Sequence, residues 1–272
     1  MYKFHVDIKL IIIYNYNTHF FEREQQQMKE TIYTIPLNEA FDEPSECPLC
    51  RLKDKLEAEA IDYALGAAMM EPDYRIISNE KGYCEKHFSM LFSKPNKLSL
   101  ALVLDTHLEE LRSGMEKLSK GIGGKSGLFK RPSAAPLTEY IESKTYSCLI
   151  CDKLSKTMAR YTDIFFDMLK DDEAFKAKVE ASKGFCLPHF KELLLHSEKK
   201  LSPSAFSEFS LMLTKKQLAE LERIQEDIHK FTLKFDYRNA DMDWGTAKDA
   251  PIRTIEKLTG TIIKCTDEKK EF

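Results

Sequence analysis

Eight side chains have the types and spacing of two metal sites. Cys47-Pro48-Leu49-Cys50 is followed by Gly82-Tyr83-Cys84-Glu85-Lys86-His87-Phe88, and Cys148-Leu149-Ile150-Cys151 by Gly184-Phe185-Cys186-Leu187-Pro188-His189-Phe190. Six of the seven cysteines thus obey one formula: C-x2-C, then G-[YF]-C-x2-H-F, with 33 or 34 residues between the pair and the third cysteine. Three thiolates and one imidazole are the soft tetrahedral set that zinc accepts in a closed structural site, leaving no position for a substrate. An iron-sulfur cluster suits this set less well, because cysteine usually supplies all four cluster ligands. Pairing within each half is the simpler arrangement. Cys47 and Cys50 joining Cys186 and His189 across the halves is the open alternative.

The same residues admit two other chemistries. C-x2-C at a helix start is also the arrangement of disulfide-exchange proteins and redox switches, where the helix dipole lowers the first thiol's pKa. Neither pair follows an expected strand in a βαβ setting, and each has a dedicated Cys and His downstream, which favours metal. A metal-dependent hydrolase or lyase using Glu71, Asp73 or Glu85 as acid or base requires an open coordination position, and four protein ligands leave none. His107, His196 and His229 lie on helical stripes without a matched nucleophile. The sequence therefore leans away from an enzyme and names no catalytic residue.

The elements that must position these ligands are helices, so the expected fold class is all-α, with two tandem pseudo-repeats that each carry a metal site. Arg51 to Met70 and Asp152 to Lys170 read as amphipathic helices starting just after each C-x2-C. Phe88 to Phe92 and Phe190 to Leu195 continue each C-x2-H as helix, putting its Cys and His three apart on one first turn. Unpaired N–H groups and the positive dipole end there stabilise thiolate. Leu98 to Leu118 and Ser204 to Lys234 carry apolar stripes at i, i+3, i+4. Matched positions drift slowly in offset, from 100 at Pro36/Pro136 through 101 at Cys47/Cys148 and 102 at His87/His189 to 103 at Leu98/Leu201, as duplication with single-residue insertions would produce. The expected organisation is a 1–27 extension, repeats at 28–119 and 137–236, a linker at 120–136, and a C-terminal docking helix and tail at 237–272.

Two unrepeated segments are candidate contacts for a ligand or partner. In Met69-Met70-Glu71-Pro72-Asp73-Tyr74-Arg75, Pro72 is expected to end the helix and leave Glu71, Asp73 and Arg75 in a loop; the plainer reading has both methionines in the core and Arg75 paired with one of the acids. Near the C-terminus, Trp244 beside Arg238 and Arg253 suits either a recognition pocket or packing of a final helix, capped by Asp249 and ending near Gly260. Cys265 has no repeat partner and is expected as a free thiol.

With 272 residues, 43% hydrophobic, the chain can bury a core, and a net charge of −3 supplies no general attraction for nucleic acid or anionic lipid. The apolar run from Ile8 to Tyr16 is shorter than the ~20 residues of a membrane span and no cleavage site follows it, so a cytoplasmic protein is expected, with its cysteines reduced. Translation starting at Met28 is one reading of the dissimilar 1–27 stretch; an edge strand or tail is the other. Gly124-Lys125-Ser126 mimics a phosphate loop, but Ser119 stands where the first Gly belongs and no strand precedes it, so linker is favoured over nucleotide site. Lys117, Lys120, Lys125, Lys130 and Arg131 there read as solvated charge. A protein partner is the expected kind.

Pro36-Leu37-Asn38-Glu39-Ala40-Phe41, Cys47-Pro48-Leu49-Cys50, Met69 to Arg75, Asn79 with Gly82-Tyr83-Cys84 and His87, and Asp236-Tyr237-Arg238 with Trp244-Gly245 together resemble an uncharacterised bacterial family catalogued as a domain of unknown function. The resemblance runs from about Met28 to about Gly260, and the Met-Met-Glu-Pro-Asp string is its most specific part. It implies no activity.

Overall fold

The computed structural model of the protein describes residues 32–123, 133–239 and 241–263. These residues are helical, with no strand among them. The 1–27 extension, Met28, Gly124-Lys125-Ser126 and Cys265 lie outside the described residues. No helix among the described residues is long and apolar enough to cross a membrane.

After helix α1 over 32–42 come α2 (Pro48–Leu65), a 3-10 turn (Ala67–Met70), α3 (Pro72–Lys81), α4 (Glu85–Ser93) and α5 (Lys97–Gly123). Beyond them lie α6 (Ala135–Tyr146), α7 (Leu149–Asp171), α8 (Glu173–Ala181), α9 (Leu187–Lys200), α10 (Pro203–Leu233) and α11 (Ala250–Thr259). Local chemistry sets many of these limits. Asp172 caps α8 by accepting the Phe175 N–H at 3.0 Å, and Ser202 caps α10 through the Ala205 N–H. Pro72, Pro188, Pro203 and Pro251 occupy first turns, where a missing N–H costs nothing.

Three expectations about elements need correction. Pro72 begins α3 instead of only ending its predecessor, so Glu71 is the residue before the helix and Asp73 and Arg75 lie within it. The break falls earlier, at Gly66, and Met70 is 78% exposed while Ala68 is buried. The segment expected as linker at 120–136 is helical at both ends, in α5 and α6.

By contact the chain divides into two compact units, one made of 1–52 and 159–272, the other of 53–158. The chain passes between the units within α2 and within α7.

The first unit is built on aromatic rings. Phe41, Phe165, Phe175 and Phe185 meet at centroid distances of 5.0 to 6.2 Å, and Phe166 and Phe209 extend the cluster. Buried Leu37, Val179, Leu193 and Leu213 contribute the aliphatic part of this unit's core. Each such side chain stabilises by about 1.5–3 kcal/mol through burial alone. The second unit packs Ile61, Ala64 and Leu65 of α2 against Tyr83, Leu91 of α4, Leu100 and Val103 of α5, and Ile150 and Leu154 of α7. Cys148 belongs to that same cluster, so one thiol is embedded in the core that supports it.

Candidate metal centres

Each unit gathers four soft donors. In the first, Cys47, Cys50, Cys186 and His189 have all their ligand atoms within 4.8 Å of one another; in the second, Cys84, His87, Cys148 and Cys151 do the same. In sequence the second set lies between the members of the first, so the two ligand loops are nested: 84 to 151 is the inner site and 47 to 189 the outer.

This grouping corrects the expectation of one complete site per half. The C-x2-C of each half meets the C-x2-H of the other. In each half a long helix follows the C-x2-C and a shorter one comes before the C-x2-H: α2 has 18 residues and α3 has 10, α7 has 23 and α8 has 9.

Local geometry places the donors on first turns. Cys186 caps α9, and its Sγ accepts the His189 N–H at 3.5 Å. Cys84 precedes α4, with His87 in that helix's first turn. Cys148 precedes α7, and its Sγ accepts the Cys151 N–H at 3.5 Å. Backbone bonds hold the inner pair of starts together, the Leu149 N–H donating to the Gly82 carbonyl at 3.1 Å and the Ser147 hydroxyl to the Lys81 carbonyl at 2.5 Å.

The donor separations match a tetrahedron around one ion. Zinc bonds of about 2.3 Å to sulfur and about 2.05 Å to nitrogen set edges of roughly 3.8 Å between sulfurs and roughly 3.5 Å between sulfur and nitrogen. The observed S···S distances are 3.5 Å for Cys50–Cys186 and 3.8 Å for Cys84–Cys151. The S···Nδ1 distances run from 3.2 to 3.4 Å in both groups. Donors this close suit a single ion, whereas a multi-iron cluster needs ligands spread over several metals.

Electrostatics prepare the groups for a cation. In the inner site burial opposes charge on His87, but hydrogen bonds to Cys148 and Glu57 raise its pKa to about 10. Burial pushes the Cys148 thiol up, but the bond from His87 together with hydrogen bonds from Cys151 and Cys84 brings it down to about 6. Cys151 is pushed up to about 12 by burial and its bond to Cys148. In the outer site, bonds from the Cys47 and Cys50 thiols draw Cys186 far below the usual thiol range, and Cys50 is driven far above it by the reciprocal bond to Cys186. Burial opposes charge on His189, yet its bonds to Cys186 and Cys47 raise it to about 10. In each group the shifts run toward a charged imidazole beside a thiolate.

The two sites differ in cover. All four outer ligands are buried, Cys186 completely. Gly260 closes α11 over them in the left-handed region (φ 71°), and its carbonyl accepts from Cys50 Sγ at 3.4 Å. A Cβ there would stand 3.0 Å from Cys186 Sγ. In the inner site His87 and Cys148 are buried, Cys84 is half-buried and Cys151 is exposed.

Four supporting residues went unnoticed in the sequence. His87 Nε2 lies 3.0 Å from Glu57 Oε1, and Lys86 holds the same carboxylate at 2.6 Å. The bond to Glu57, with burial opposing it, keeps that carboxyl down at about 2. Beside the outer site, fully buried Lys257 donates to the carbonyls of Glu46 and Lys183 at 2.9 and 2.5 Å, and the Glu46 carboxylate is bound by Arg223 at 2.6 Å. Glu57 sits seven residues past Cys50 on an amphipathic helix, a position with an ordinary surface reading; Lys257 and Glu46 had no sequence signal, and Gly260 was legible only as the end of the final helix.

The other candidates lie apart from these groups. Glu71 accepts from the Tyr63 hydroxyl at 2.6 Å, and Tyr63 stacks edge-on with Tyr74 at 5.4 Å while Lys153 covers its ring. Asp73 is exposed in the first turn of α3, and Arg75 is half-buried farther along. Arg238 pairs with Asp236 at the surface. Trp244 packs on Phe231 and Phe235 at 5.5 and 6.5 Å, and the cation nearest its ring is Lys234. His107 bonds the Asn79 carbonyl, and His196 pairs with Asp163 while stacking on Phe166.

No curated protein and no solved structure matches the chain. A family model does match, over residues 28–265, which include all eight cluster residues together with Glu57, Lys257 and Gly260. The chain therefore belongs to DUF6062, a family of unknown function.

Proposed function

We propose that this is a non-catalytic helical module in which two zinc ions, each in a closed Cys3His site, hold the fold rigid for recognition of a protein partner or for regulation. The observation that carries the reading is the pair of four-donor groups whose S···S and S···N separations fall near the edges of a zinc tetrahedron. Four soft ligands per ion leave no coordination position for water or substrate, which is why catalysis is not part of it. Structural zinc contributes about 10–16 kcal/mol per site, comparable with the entire stability of a typical domain at about 5–15 kcal/mol. Six free cysteines fit a reducing compartment such as the cytoplasm. The two C-x2-C and C-x2-H copies read as an ancestral duplication whose motifs exchanged partners. Glu71, Asp73, Arg75, Arg238 and Trp244 are the proposed contacts for the partner.

Elemental analysis of protein purified under reducing conditions tests this reading. Two zinc ions per chain, falling by one in each of Cys84→Ser and Cys186→Ser, are expected. Iron with visible absorbance, or no metal with thiols that readily form disulfides, overturns it.

A further inference from the structure

The two sites, identical in ligand type, differ in what can reach them. Every outer ligand is buried, and Gly260 at the end of α11 stands against Cys50 and Cys186. In the inner site the two thiols that water can reach, exposed Cys151 and half-buried Cys84, are also neighbours, with their sulfurs 3.8 Å apart. They come from different helix starts, at α7 and α4, so closing a bridge between them requires side-chain rotation and an approach of about 1.8 Å toward a disulfide length of about 2.05 Å. Cys148, by contrast, is buried in the apolar cluster with Ile61, Leu91 and Ile150.

We propose that the inner site is a peroxide-responsive switch, in which oxidation joins Cys84 to Cys151 and expels the ion, while the outer site keeps its own. This deepens the zinc reading and rests on it. The co-reactant is hydrogen peroxide or a small organic hydroperoxide. The Cys151 thiolate attacks the peroxide, the O–O bond breaks, and sulfenic acid and hydroxide form. The Cys84 thiolate then attacks that sulfur, the S–S bond forms and a second hydroxide leaves, so two thiolates lose two electrons and the peroxide gains them. Zinc left with Cys148 and His87 alone has lost two anionic ligands and dissociates. Release costs the second unit its staple, since the ion ties the starts of α4 and α7, whereas the first unit keeps its fold. A thiol reductant and fresh zinc reverse both steps.

The test uses the full chain, reduced and loaded. Elemental analysis first fixes two zinc ions per chain; a chain that binds none refutes the underlying reading and the switch with it. One equivalent of hydrogen peroxide is then added in the presence of a zinc-sensitive dye, and the thiols are mapped by peptide mass analysis. Release of about one zinc per chain together with a Cys84–Cys151 bridge is expected, reversed by reductant and zinc. Retention of both ions, release of both at the same rate, or a bridge between Cys148 and Cys151 overturns the switch while leaving structural zinc standing. Cys151→His keeps four donors, and its inner ion is expected to leave at least tenfold more slowly under peroxide. Should that variant fail to hold two ions, Cys84→His makes the same comparison. Unchanged release in whichever variant is loaded overturns the assignment.

Discussion

His87 and Glu57 form a directed pair: imidazole Nδ1 faces three thiols, and Nε2, on the opposite edge of the ring, lies 3.0 Å from a carboxylate that is itself held by Lys86. With Nε2–H donating to Glu57, the lone pair is left on Nδ1, the atom that faces the cluster. A carboxylate behind a ligating histidine fixes its tautomer and raises its basicity. Glu57→Gln is therefore expected to weaken zinc binding at the inner site by about 10- to 100-fold and to leave the outer site unchanged, as chelator competition would measure. Equal loss at both sites would show that Glu57 acts on the whole fold.

Acid should strip the metal, and the sign follows from the groups. At neutral pH the ion-free inner site carries protons on His87, with a pKa of about 10, and on Cys151, at about 12, and both must leave when zinc enters. Between about pH 6 and 10 the apparent affinity then falls about tenfold per displaced proton for each unit of acidification, or about 100-fold for the two. Below about 6 Cys148 also takes a proton and the slope steepens. Glu57, held near 2, stays charged throughout and does not contribute. Zinc release followed against pH checks the steepness, and a slope of tenfold per unit or less would contradict the two assignments.

Gly260→Ala should damage the outer site specifically. The backbone there is left-handed, costing a residue with Cβ about 1–2 kcal/mol, and the new carbon would press on Cys186 Sγ. The expectation is a lower melting temperature with earlier loss of one ion, read by thermal unfolding in the presence of the zinc dye.

A cut in 124–132 should give two fragments that fail singly and succeed together. Each fragment holds one C-x2-C and one C-x2-H, yet the donors group across the cut. Singly expressed fragments are expected to bind zinc weakly and co-expressed ones to copurify with two ions per pair. Tight binding and full helicity in a lone fragment would contradict the exchanged grouping.

Spacing alone pointed to the eight residues that the fold gathers into two clusters, because C-x2-C and C-x2-H on helix first turns are local arrangements that a chain cannot disguise. Which C-x2-C serves which C-x2-H is not local. It depends on how the helices pack in three dimensions, which spacing along the chain does not reveal. Glu57, Glu46 and Lys257 escaped for a related reason. Each is an ordinary charged residue on a helix until tertiary packing sets it against a cluster.

The nesting of the two ligand loops also sets a timetable for the growing chain. Cys47 and Cys50 leave the ribosome early, and His189 follows Cys50 by 139 residues. At about 5–20 residues per second that is a wait of roughly 7–28 s, during which the first C-x2-C has no native fourth ligand. The inner quartet is complete once Cys151 has emerged, 67 residues after Cys84. The two quartets are therefore completed in a fixed order during synthesis, inner before outer, and on the zinc reading the early thiols spend the interval exposed to whatever metal or oxidant the compartment holds.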